Sequence, residues 1–136
     1  MIKWAGWIIT LFGTAHTIAA LTLEKAARHA GTWFSGGLWH ENFDDMTPAG
    51  SAYWLSLDSF GIPLVLIGLT VLWLDRRGIT PPVFIAWTLG VWTVVDAVII
   101  PFTPWPLVLI ASVLLLTGAH RARRDTAPAP SPATPR

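Results

Sequence analysis

Three ionisable side chains interrupt long apolar runs: His16 within Trp4 to Leu23, Asp58 within Tyr53 to Leu74, and Asp96 within Val83 to Pro101. An ionisable group in hydrocarbon costs at least ~2.5 kcal/mol on insertion scales, so it normally faces a protein interior or a wet cavity. Two carboxyls and an imidazole are also the parts of an acid–base site. A carboxylic acid held neutral by burial can donate a proton, and a second carboxylate or an imidazole can take one back. Each of the three follows an aromatic residue by four positions, which puts the pair on one helix face: Phe12 with His16, Trp54 with Asp58, Trp92 with Asp96. Indole faces attract cations, by ~2 kcal/mol where water is excluded. The pattern reads as a pocket with Asp96, Asp58 and His16 as candidate catalytic residues and Trp54, Trp92, Phe12 and Trp87 as candidate substrate-binding walls.

Plainer roles compete. A single histidine between helices can simply bond a neighbour, and Thr14 and Thr17 are close in sequence. Asp58 is near enough to a membrane surface to be solvated. Asp96 stands among Val94, Val95, Val98, Ile99 and Ile100, where an unpaired charge is most expensive. Of the nine Trp, Trp4, Trp7, Trp73 and Trp105 fall at the ends of apolar runs, where interfacial belts are expected.

The elements that must position these residues follow from composition. With 53% hydrophobic and 12% charged residues, a soluble domain of 136 residues would lack polar surface. Four runs, at about 4–23, 53–74, 83–101 and 105–119, predict an all-α fold, a four-helix transmembrane bundle. The first three are each about 20 residues long, enough to cross ~30 Å of hydrocarbon. The fourth is completed by Pro101 to Pro104 at one end and by His120 with a snorkelling Arg121 at the other. Residues 1–120 thus form the membrane domain, and 121–136 a basic, then Pro/Ala-rich disordered tail. The first run is long for a signal-peptide core and meets Glu24-Lys25 without a small-x-small cleavage signal, so it is expected to be retained. A net charge of +1 spread over several loops gives no nucleic-acid surface, and the absence of Cys excludes thiolate chemistry.

Lys3, Arg76-Arg77 and Arg121, Arg123 and Arg124 share one side if the chain crosses four times. Both termini are therefore expected in the cytoplasm of a bacterial cell, in a multi-pass protein with Glu24 to Ala52 as a long exoplasmic loop. With Trp33, Phe34, Trp39 and Phe43 that loop reads as an interfacial flap. In this orientation His16 lies about 10 Å from its helix's outer end, and Asp58 and Asp96 about 7 Å from theirs. His29, His40, Glu41, Asp44 and Asp45 in the loop are metal-ligand types, but their spacing matches no zinc or calcium pattern, and no metal or other cofactor is expected. Pro63 reads as a kink in the second helix.

Three segments, GTAHT at Gly13 to Thr17, AYWLSLDSFGIPLVLIGLTVLWLDRRG at Ala52 to Gly78, and PFTPWPLVLIASVLLLTG at Pro101 to Gly118, resemble an uncharacterised family of small four-helix bacterial membrane proteins. The resemblance covers about residues 4–120 and carries no settled activity. Asp58, Asp96 and PFTPWP, in place of a Ser-Gly-containing turn, depart from that family's pattern and imply a specialised task. A second similarity is chemical: membrane terpene cyclases and emopamil-binding-type sterol isomerases protonate an alkene or epoxide with carboxylates and stabilise the cation on Trp faces. None of their catalytic residues aligns here.

The sequence-level expectation is an integral-membrane enzyme for acid-initiated cyclisation or isomerisation of an apolar, isoprenoid-like substrate drawn from the bilayer. Asp96 would be the general acid, Asp58 its partner or terminal base, and His16 the group that orients or reprotonates it. Trp54 and Trp92 would line the cation path. The rival is a non-catalytic module, either a lipid-binding protein or a small subunit bonded to an oligomeric or membrane partner. A proton-coupled carrier is disfavoured, because four short helices without an internal repeat have little to rock against.

Overall fold

The computed structural model describes residues 1–100 and 104–125. Among them lie six α-helices and one 3-10 turn: α1 (Ile2–Thr22), the turn Ala26–His29, α2 (Ala30–Phe34), α3 (Pro48–Ser56), α4 (Gly61–Arg76), α5 (Val83–Ile99) and α6 (Pro106–Asp125). Three stretches, Ile2–Thr22, Pro48–Arg76 and Pro106–Arg124, are long and apolar enough to cross a membrane, and Val83–Ile99 is a shorter apolar helix. Large apolar side chains cover the outside, among them Trp4, Leu11, Leu66, Phe84, Val91 and Ile110. Water would not tolerate so continuous an apolar exterior, whereas lipid does.

The expected second helix is two helices. Pro63 lacks an N–H and is best accommodated in a first turn, where the N–H groups have no intrahelical partner. α4 accordingly starts at Gly61, and Leu57 to Phe60 form an irregular corner instead of a kink inside one rod. α4 ends in a Schellman motif. Gly78 takes φ +68°, Ile79 N–H bonds Leu74 O and Gly78 N–H bonds Asp75 O, both at 3.0 Å. α6 runs past the expected end at Ala119 to Asp125, so the basic start of the expected tail, Arg121 to Arg124, is helical. The remainder of that tail, 126–136, and Pro101 to Thr103 of PFTPWP lie outside the described residues.

α1 is central, with α4 on one side and α6 on the other, and α5 packs on α6. Its seam with α4 is built from small residues. A Cβ on Gly13 would sit 2.5 Å from Gly61 O and 2.9 Å from Val65 N, and one on Gly68 would sit 2.6 Å from Thr10 N and 2.9 Å from Gly6 O. The backbones therefore touch, antiparallel, along Gly6-Thr10-Gly13-Thr17 against Gly61 and Gly68, the small-residue packing that replaces hydrophobic association inside lipid. The hydroxyls of Thr10, Thr14 and Thr17 do not cross between helices; each donates to the carbonyl four residues back. At the other contact of α1, Ile2 lies against Gly118, so the start of α1 and the last turns of α6 share one end of the bundle, with Arg76-Arg77.

The α1–α3 segment caps the opposite, loop end as an ordered flap. Thr47 caps α3 by accepting Gly50 N–H at 3.1 Å, Glu41 accepts Thr47 N–H at 2.5 Å and the Thr47 hydroxyl at 3.1 Å, and Trp33 Nε1 donates to Ala49 O at 2.8 Å. Glu41 is thus an organiser of a helix start.

Candidate functional site

Four aromatic rings, one from each long helix or its first residues, meet near the loop end. Phe12 belongs to α1, Phe60 stands at the start of α4, Trp92 belongs to α5, and Trp105 immediately precedes α6. Trp92 and Trp105 pack edge to face with centroids 5.0 Å apart; Phe60 lies 5.1 Å from Trp105 and 5.6 Å from Trp92, and Phe12 lies 5.5 Å from Trp105. Offset and edge-on contacts at these distances are the favourable arrangements for rings. Trp105 is 7% exposed and belongs to the core, not to the interfacial belt its position at a run end had indicated. Pro106 at the first position of α6 sets that helix's start immediately after it. Together the rings form a filled plug.

His16 stacks on Phe60 with centroids 4.0 Å apart, and its Nε2 lies 3.0 Å from Ser59 Oγ. The Ser59 hydroxyl proton is already donated to Ser56 O at 3.0 Å. Both contacts are satisfied at once in the tautomer that carries its proton on Nε2, which donates to Ser59 Oγ and leaves Nδ1 as an acceptor. The bond ties α1 to the α3–α4 corner, a different partner from Thr14 and Thr17.

His16 also borders a groove of about 560 Å³ on the α1–α6 face, whose other walls are Ile8, Leu11, Phe12, Ala15, Ala19, Pro104 and Leu107. Among the described residues its lining is apolar apart from the imidazole. Among the described lining residues His16 is the side chain that can recognise a polar group in it.

The other residues singled out from the sequence occupy three places. Asp96 is half-buried one helical turn from Trp92, on the loop-end side of the plug. Asp58 is exposed and, with Trp54, borders a separate groove of about 180 Å³ under the flap, where Trp54 packs edge-on against Phe43 at 5.6 Å. Trp54 is thus a flap residue, not a wall shared with Trp92. Trp87 lies toward the arginine end, beside Leu116 and Thr117. Of the candidate set, then, Phe12, His16 and Trp92 join one cluster directly, while Trp54, Asp58 and Trp87 lie elsewhere.

Phe60 and Ser59 escaped the sequence reading, which also placed Trp105 in an interfacial belt. A signal for them exists: once the helices alternate in direction, Phe12, Phe60, Trp92 and Trp105 all fall within a few turns of the same end. Among the described residues no group of three or more His, Cys, Asp or Glu is placed to hold a metal. His29 Nε2 accepts from Arg28 Nε at 3.0 Å, and Asn42 Oδ1 accepts Asp44 N–H at 3.1 Å.

No curated protein and no solved structure matches this chain. Its sequence does match one family over residues 1–122, which takes in α1 to α5, the plug and most of α6. The chain belongs to DUF6463, a family of unknown function.

Proposed function

We propose that the protein is a membrane module that binds a hydroxyl-bearing amphiphile, its apolar chain along the α1–α6 groove and its head at His16. One observation carries this reading: the described residues that line the groove are apolar except for one imidazole, whose Nε2 lies against Ser59, so that the tautomer donating there leaves Nδ1 as an acceptor. A hydroxyl is the donor that suits a neutral ring nitrogen. The groove lies between two helices long enough to span a bilayer, so the ligand enters sideways from lipid.

In the same proposal all four long helices cross the bacterial cytoplasmic membrane. α5, at 17 residues, spans about 26 Å, a mismatch that local thinning or snorkelling accommodates. The basic residues Lys3, Arg76, Arg77 and Arg121 to Arg124 then lie inside, and the flap outside. Reporter fusions after residue 125 should report the cytoplasm and insertions at Asp44 the exterior; the reverse pattern would invert the proposal.

The binding reading is tested by native mass spectrometry of the purified protein with a long-chain alcohol. His16→Phe keeps a ring to stack on Phe60 and removes the acceptor, and retention should fall about fivefold, the worth of one hydrogen bond of ~1 kcal/mol. Ser59→Ala, which removes the structural partner and leaves the imidazole in the groove, should retain the ligand. Equal retention by wild type and His16→Phe would refute the site.

Acid-initiated chemistry remains the second reading, favoured by one observation: half-buried Asp96 stands one turn from the Trp92 ring. Its mark would be turnover of polyprenyl or epoxy-polyprenyl compounds that falls ~10²-fold or more in Asp96→Asn while ligand retention is unchanged.

A further inference from the structure

The α5–α6 face carries another groove, at the arginine end. Its wide part, about 490 Å³, is bordered by Trp87, Thr117, His120, Arg121, Arg123 and Arg124. Thr117, His120, Arg121 and Arg124 recur at the three- and four-residue spacing of one helix face, so α6 presents its terminal basic residues in a row along the groove. The described residues that line it include no carboxylate. Trp87 and Leu116 also border a narrower apolar track of about 310 Å³ that continues past Gly90, Val91, Val94 and Val113. The floor of that track is low because Gly90 lacks a side chain: a Cβ there would stand 3.6 Å from Ser112 Cβ, in ordinary contact. A basic mouth, an indole at the boundary and an apolar track therefore follow one another along one face.

We infer that this groove holds an anionic phospholipid, its phosphate among His120, Arg121 and Arg124 and an acyl chain along the track past Gly90. Guanidinium groups hold phosphate oxygens through paired N–H donors and stay charged at any working pH. Basic pockets between helix ends at a membrane surface suit lipid head groups, and the indole of Trp87 fits the boundary between head and chain. Free phosphate would use only the mouth; the continuity of mouth and track selects a lipid. This site shares no lining residue with the α1–α6 groove and stands independently of the function proposed for it.

The test is retention of phosphatidylglycerol against phosphatidylcholine by the full chain in detergent, read by native mass spectrometry. Wild type should retain phosphatidylglycerol selectively. Each basic side chain at an anionic surface contributes about fivefold, so Arg121→Gln with Arg124→Gln should lower retention roughly thirtyfold. Gly90→Leu, which fills the track and leaves the mouth intact, should lower retention of the diacyl lipid. Arg76→Gln with Arg77→Gln removes equal charge from the same end outside the groove and should change little. Equal retention of the two lipids, an equal loss in the Arg76/Arg77 pair, displacement by inorganic phosphate, or indifference to Gly90→Leu would each overturn the assignment.

Discussion

Gly13→Leu is expected to lower the unfolding midpoint steeply, while Gly90→Ala leaves it unchanged or slightly raised. At Gly13 the neighbours of an added Cβ are backbone atoms, Gly61 O and Val65 N, which have no rotamer by which to withdraw. α1 and α4 would have to separate along their whole seam, losing the close approach that holds them together in lipid. Overpacking by methylenes costs ~1–3 kcal/mol where side chains can yield, and more where they cannot. That is a large share of a stability of about 5–15 kcal/mol. At Gly90 the added methyl meets Ser112 Cβ at 3.6 Å, so only the gain in helix propensity, up to ~1 kcal/mol, remains. Thermal or detergent-induced unfolding followed by Trp fluorescence measures both. A Gly13→Leu protein as stable as wild type would mean that the α1–α4 seam is not formed as described. The same seam sets the height of His16 against Ser59, since Gly13 and His16 are less than one turn apart.

Helix existence was legible in the sequence because apolar runs of membrane length have few other readings. Boundaries were not. Pro63 looked like a kink, but the cheapest place for a residue without an N–H is a first turn, and Gly61 lets α4 begin just before it, against α1. That break decided the fate of one aromatic–carboxylate pair. Trp54 and Asp58 do border one groove, but α3 ends at Ser56, so Asp58 lies in the corner at Leu57 to Phe60 and the groove faces the flap and Phe43. The pairs Phe12–His16 and Trp92–Asp96 lie on unbroken helices, and there the spacing carried each polar residue to the turn beyond the plug. Trp105 was misread because a tryptophan at the end of an apolar run has two stable destinations, the interface or the core. The choice depends on chain direction at the turn, which local sequence does not encode. The glycines at 6, 13, 61 and 68 are visible in sequence as two seven-residue spacings, yet only the partner helix reveals that they face each other.

Trp105→Ala should cost ~3–5 kcal/mol, the range for emptying the site of a large buried ring. The void would be walled by Phe12, Phe60 and Trp92, apolar surfaces that leave it dry. Such a cavity accepts a small aromatic guest, so added indole should restore much of the lost stability in Trp105→Ala and none in Gly13→Leu. Trp105→Phe should lose less, because ring contacts with Phe12 and Phe60 survive. A spectroscopic mark accompanies the loss: the Trp92 and Trp105 indoles are close and 64° apart in plane, so their transitions couple and their circular dichroism should diminish when either ring is removed. These results also separate the two functional readings. If the rings are a filled plug that closes the loop end of the ligand groove, Trp105→Ala weakens the bundle, admits indole and lowers amphiphile retention only as far as Phe12 loses its support. If they are instead the walls of a reaction pocket, the enlarged space should alter which polyprenyl products form. An unaltered stability with no response to indole would show that Trp105 does not fill the space between the four helices.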